Sequence, residues 1–166
     1  MITPDWVRMM ARYTAWQNQS ICSAANALPN ADRQAPRGAF FGSIEGTLNH
    51  LLWGDRMWMS RFAGTPKPSA PSIAESVNEV PEWPQFLMAR AEMDQMIAAW
   101  AASVTEEDLA GDLTWYSGAA GREVSKPMAF LVTHFFNHAT HHRGQVHAML
   151  TASGARPDDT DLFLMP

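Results

Sequence analysis

The chain has 166 residues, of which 46% are hydrophobic and 17% charged, and a formal net charge of −5 at pH 7. This composition suits one domain of ordinary size with a packed core and excludes intrinsic disorder, and the acid excess without any run of Lys or Arg argues against a nucleic-acid surface. The single cysteine, Cys22, leaves no internal disulfide and fits a reducing compartment.

Thr3-Pro4-Asp5 opens the first predicted helix: Thr3 caps, Pro4 suits the first helical position, and Asp5 meets the positive end of the dipole. Trp6, Met9, Met10, Tyr13, Trp16, Ile21 and Leu28 follow a helical stripe that Pro29-Asn30 ends. Residues 30–42 read as a linker or irregular turn. A second helix starts near Ser43 without a capping box, carries Ile44, Leu48, Leu51, Leu52, Met57, Trp58 and Phe62, and stops at Gly64-Thr65-Pro66.

The stretch from Lys67 to Val80 is the longest loop-like segment. A third helix begins between Pro81 and Pro84 and runs to about Ser103. Thr105-Glu106-Glu107-Asp108 resembles a one-turn helix start. Two short β-like pieces then flank Ser117–Gly121, which predicts a small hairpin. Ser125-Lys126-Pro127 opens the last helix, which runs to Ser153 before Gly154. The expected fold is therefore all-α, a four-helix bundle with irregular connections, and bundles of this kind place metal sites between facing helices.

No stretch approaches the roughly 18–20 apolar residues of a membrane span, and the start lacks the continuous apolar run of a signal peptide, so a cytoplasmic location is expected.

Five of the six histidines, His134, His138, His141, His142 and His147, crowd into the last helix, and the sixth, His50, sits midway along the second. Helical neighbours three or four apart share a face, and ligand bonds of about 2.0–2.1 Å bridge such a pair. His138 pairs by spacing with His134, His141 or His142. His141 and His142 diverge by roughly 100°, so at most one of them joins His138. The third ligand must come from another helix, which selects His50. Gly46 and Gly54, one turn to either side of it, leave room for a ligand or a close backbone. The residue-level reading is His50, His138 and one of the adjacent pair; Glu45, Asp55 and Asp94 are alternative oxygen donors on helices.

The segment HFFNHATHHRGQVHAMLTASGARPDDTDLF resembles the C-terminal signature of the DinB family, in which H-x-x-x-H-R-G-Q lies on the last helix. His138, His142, Arg143, Gly144 and Gln145 match it, and the match selects His142 over His141. His50 in TLNHLLWGDRMW matches the family's histidine on its second helix, and the early W-x-N and late G-x-x-P…D-L segments also agree. The resemblance covers nearly the whole chain. It implies an up-up-down-down four-helix bundle, often dimeric, with zinc or nickel at the three histidines. Some relatives are S-transferases or maleylpyruvate isomerases that use low-molecular-weight thiols.

The expected function is therefore that of a divalent-metal protein whose three-His site keeps an open position for activating a thiol or water, as in thiol S-transfer. Hydrolysis, or a non-catalytic stress-response role, is the alternative. Arg143 and Trp53 are the candidate substrate-binding residues, with Trp58 as a second pocket wall. Gly144 is expected to serve close helix packing, Gln145 to bond across helices, and the tryptophans to be mainly core. A wide apolar stripe on the first helix, with Val7 beside it, suggests a homodimer; the alternative is a monomer in which the Lys67–Val80 loop covers that stripe.

Overall fold

The computed structural model describes residues 1–118 and 120–166. Four long helices carry the architecture: α1 (Pro4–Asn26), α3 (Ile44–Phe62), α4 (Trp83–Ser103) and α6 (Met128–Ala152), with short α2 (Asn30–Gln34) and α5 (Glu106–Ala110) between them. Local chemistry explains their starts. Thr3 accepts from the Trp6 amide, Ser43 accepts from the Gly46 amide, and Thr105 with Asp108 forms a full capping box at α5. The predicted hairpin is present: β1 (Asp112–Ser117) pairs antiparallel with β2 (Arg122–Pro127). Ala119, in its predicted turn, lies outside the described residues. Residues 30–42 are less irregular than expected, because α2 occupies their first turn.

The side chains that meet fix the helix directions. α6 runs with α1: Trp6 packs edge-on against Phe136, and the Arg143 guanidinium lies over the Tyr13 ring. α4 opposes α1, with Asn18 bonded to Asp94 and Asn26 to Trp83. α3 opposes α6, with His50 beside His142 and Trp58 beside His134. α3 runs with α4, as Asp55 meets Arg90 and Phe62 stacks on Trp100. The expected bundle is therefore found, but its four long helices run up-down-down-up along the chain in place of the up-up-down-down order.

That order has a consequence for the site. Because α3 and α4 are parallel, the chain between them must travel back along the bundle. Residues 63–82 do so beside α3: Ala70 accepts from the Trp53 indole, Ser76 meets His50, and the Val80 amide donates to Asn49. Glu79, fully buried at its side chain, anchors this crossover by accepting from the Ser69 and Ala70 amides and pairing with Arg56. The Lys67–Val80 segment therefore covers α3 and not the stripe on α1. Part of α1 is covered instead by the C-terminal tail, through Tyr13 to the Thr160 carbonyl and Gln17 to the Asp159 carbonyl.

The core holds Ile21, Ile44, Leu48, Leu52, Phe86, Ile97, Phe135, Phe136 and Leu150, all nearly inaccessible. Burying each such side chain contributes about 1.5–3 kcal/mol. One ionic knot interrupts the apolar interior. Arg90 bonds Asp55 at 2.6 Å and Asp94 at 2.8 Å, and Asn18 donates to Asp94. The two acids outweigh the desolvation of Arg90 and raise its pKa. Of the tryptophans Trp83 is buried in the core, and half-buried Trp6, Trp58 and Trp100 pack against it, in keeping with the expected core role; Trp16, Trp53 and Trp115 are half-buried outside it.

Candidate metal centre

α3 and α6 bring three imidazoles together. His50, His138 and His142 each offer a ring nitrogen, all within 4.8 Å of one another. The Nε2 atoms of His138 and His142 are 3.1 Å apart. Two nitrogens bound at about 2.0–2.1 Å to a tetrahedral ion would stand roughly 3.3 Å apart, so this pair already has the spacing of a shared coordination edge.

Hydrogen bonds on the far sides of the rings settle which nitrogens face inward as lone pairs. The Ser76 hydroxyl donates to the Ile73 carbonyl at 2.6 Å, so it accepts from His50 Nδ1 at 2.8 Å. The Gln145 amide nitrogen meets His141 Nε2 and its oxygen accepts from His142 Nδ1 at 2.8 Å. Both rings therefore carry their proton on Nδ1 and turn a bare Nε2 inward, the arrangement that ligating histidines adopt. Without an ion, His138 Nε2–H can donate to the bare His142 Nε2 at 3.1 Å; with its proton on Nδ1 instead, His138 adds a third inward lone pair, and it is this convergence of three imidazole nitrogens within 4.8 Å of one another by which the donor set fits a divalent ion. Gln145 thus bonds within its own helix, not across helices as expected.

The surroundings keep the rings neutral and fixed. Burial, and then the proximity of His142, push His50 down to about 4, and burial with the neighbouring imidazoles pushes His138 down to about 3. Burial also lowers His142, against the opposing effect of Gln145. Neutral imidazole is the ligating form, so protons do not compete near neutral pH. Phe41 stacks on His50 with ring centroids 3.6 Å apart and stands edge-on to His142.

The two glycines flanking His50 have separate uses. A Cβ on Gly54 would lie 3.0 Å from His138 Cε1, and one on Gly46 would collide with the Phe41 carbonyl oxygen. Gly54 therefore admits the His138 ring, and Gly46 admits the loop that carries Phe41.

The remaining candidates fall elsewhere. Asp55 and Asp94 are committed to Arg90, and Glu45 faces Arg33 and Gln34. His141 is exposed and touches Gln145, while His147 lies on the α1 side of α6. Arg143 is buried on that same side, where it donates to Thr140 and lines a separate cavity of about 460 Å³ with Tyr13 and Gly144. Gly144 is exposed and a Cβ there would meet nothing within 4 Å, so close packing does not explain it. Trp53 stacks beside His50 and, with Trp58, lines a pocket of about 680 Å³ that opens onto His50 and His138. Ser76 and Phe41 were not singled out in the sequence; each lies in a connection, where nothing in the local pattern marks a partner for a ring on α3.

The model of the DinB family matches residues 1–166. The chain belongs to the DinB family. It is 26% identical to Protein DinB of Bacillus subtilis (strain 168) over 96% of this chain and 94% of that protein. No solved structure matches it. The three converging histidines are the positions that the family resemblance had selected, and their geometry is compatible with a divalent metal site. Among the described residues no helix is long and apolar enough to cross a membrane.

Proposed function

We propose that this DinB-family protein is a metal-dependent enzyme in which His50, His138 and His142 hold zinc or nickel beside the 680 Å³ pocket. The observation that carries this reading is the convergence of three imidazoles, His50 and His142 held at Nδ1 by Ser76 and Gln145, beside a pocket that His50 and His138 line. Three neutral ligands leave the double charge of such an ion unquenched, and the Lewis acidity it supplies makes a thiol or a water nucleophilic near neutral pH.

The chain's own residues do the rest. Phe41 and the crossover loop exclude water from one side of His50. Trp53, Trp58 and Trp115 give the substrate an apolar wall. His134, a further imidazole lining the pocket, is depressed by burial and by the Arg61 charge, so it is neutral and free to accept a proton. No carboxylate lines this pocket among the described residues, so His134 is the base within it for drawing a proton from a thiol, or from water in the alternative hydrolysis.

The test is a transfer assay on zinc- and nickel-loaded protein, following the loss of free glutathione in the presence of an activated electrophile. Metal-dependent consumption that His138→Ala abolishes supports S-transfer. Consumption equal to that of the metal-free protein overturns it.

A further inference from the structure

Arg61 has no part in the metal centre, yet it shares its pocket. The pocket runs along α3 from His50 past Gly54, Met57 and Trp58 to Arg61, with Trp115 and His134 across from it. The Arg61 guanidinium lies 4.6 Å over the Trp58 ring and 5.5 Å over the Trp115 ring. Arg90, Arg56 and Arg33 each have a carboxylate partner; Arg61 has none within 4 Å among the described residues. It is half-buried, and desolvation lowers its pKa, so its charge is poorly solvated as well as unpaired by acids.

The two indoles are inclined at 67° to each other and both lie beside this cation; a guanidinium engaged through ring faces keeps N–H donors for other partners, and its fork matches a planar carboxylate with two parallel hydrogen bonds. The volume of about 680 Å³ suits a small organic molecule. Length follows from the helix. Eleven residues from His50 to Arg61 rise about 16 Å, and the Arg61 side chain leans back roughly one turn toward the N-terminus, leaving on the order of 10 Å between guanidinium and imidazoles.

We infer that the pocket takes a small organic carboxylate with a flat apolar body, its carboxylate on Arg61 between Trp58 and Trp115 and its other end at His50 and His138. Only the assignment of the far end rests on the metal-enzyme reading. The anion selectivity belongs to Arg61 and is independent of it. A monoanion is the matched charge, because a single guanidinium faces the ligand and a phosphate dianion would call for further donors.

The experiment uses the full chain, with and without zinc, and reads binding by indole fluorescence, since Trp58 and Trp115 flank the proposed contact. The probes are 4-phenylbutyrate, its uncharged amide, and phenylphosphonate. The carboxylate is expected to bind at least tenfold more tightly than the amide in both metal states. Arg61→Gln should erase that preference, and Arg61→Lys should restore part of it, with thermal midpoint and zinc content unchanged in both. Equal binding of acid and amide, no binding of either, a preference that survives Arg61→Gln, or tighter binding of the phosphonate overturns the proposal. Because the selectivity is also measured without zinc, failure of the metal reading leaves this outcome separately visible.

Discussion

Ser76 accepts a hydrogen bond from His50 Nδ1 at 2.8 Å, and this contact from the crossover loop to α3 turns the His50 Nε2 toward His138 and His142. Outer partners of this kind fix ring orientation and tautomer, and their loss typically costs 10–100-fold in metal affinity. Ser76→Ala should therefore weaken zinc binding by about that factor while leaving one site per chain. Competition against a chromophoric chelator reads it; unchanged affinity would mean that Phe41 stacking alone orients the ring.

Gly54→Ala makes two effects compete. Alanine favours a helix interior by about 1 kcal/mol over glycine. The added Cβ, however, would lie 3.0 Å from His138 Cε1, so the ring must shift by a few tenths of an ångström. The expected result is a metal-free protein at least as stable as the parent, with zinc affinity lowered about tenfold, near 1.4 kcal/mol. Calorimetry on the two forms separates the terms, and unchanged affinity would show that the ring adapts freely.

Acid should destabilise the metal-free protein through these rings. In the unfolded chain a histidine takes up its proton near 6.5, whereas folded His50 and His138 hold out to about 4 and about 3. Between those limits the unfolded state binds more protons, so stability rises with pH from about 4 to about 6.5 and the contribution levels off above that. Burial raises Asp55 and Asp94 and acts in the opposite sense above about 3.8, so the rings are read from the difference between variants: urea midpoints of the parent should climb more steeply across this window than those of His138→Gln. Equal slopes in the two proteins contradict the direction given for His138.

The Arg90 knot is a structural element and not part of the site. Asp55→Ala would strand a buried guanidinium that Asp94 only half satisfies. Breaking a buried pair from one side costs about 3–5 kcal/mol, which in a chain of this size lowers the midpoint by roughly 2–4 °C per kcal/mol. Thermal unfolding of the metal-free variant checks this; a drop of only a degree or two would show that water replaces the carboxylate.

Much of this arrangement is legible in the chain. Caps at Thr3, Ser43 and Thr105 and prolines at first turns place the helices within a residue or two, because those signals act locally. His50, His138 and His142 follow from helical spacing together with the family signature, and spacing alone leaves His141 and His142 unresolved. What the sequence does not disclose is long-range. The direction of α3 relative to α4 depends on how residues 63–82 return, and the partners of His50 arrive on that return. Arg61 looks like any helix-end cation until Trp115 of the hairpin is seen to close over it. Gly144, exposed with nothing near it, has no structural account.

In the proposed metal centre the face of α6 that carries His138 and His142, and not the neighbouring face of His141, joins α3. Metal content after zinc loading and gel filtration, measured on the parent, His142→Ala and His141→Ala, separates the two faces. The parent and His141→Ala should each hold about one zinc per chain, and His142→Ala almost none. Zinc retained by His142→Ala and lost by His141→Ala would overturn that assignment, since His141 is exposed, with its Nε2 on Gln145 and its ring edge-on to His142.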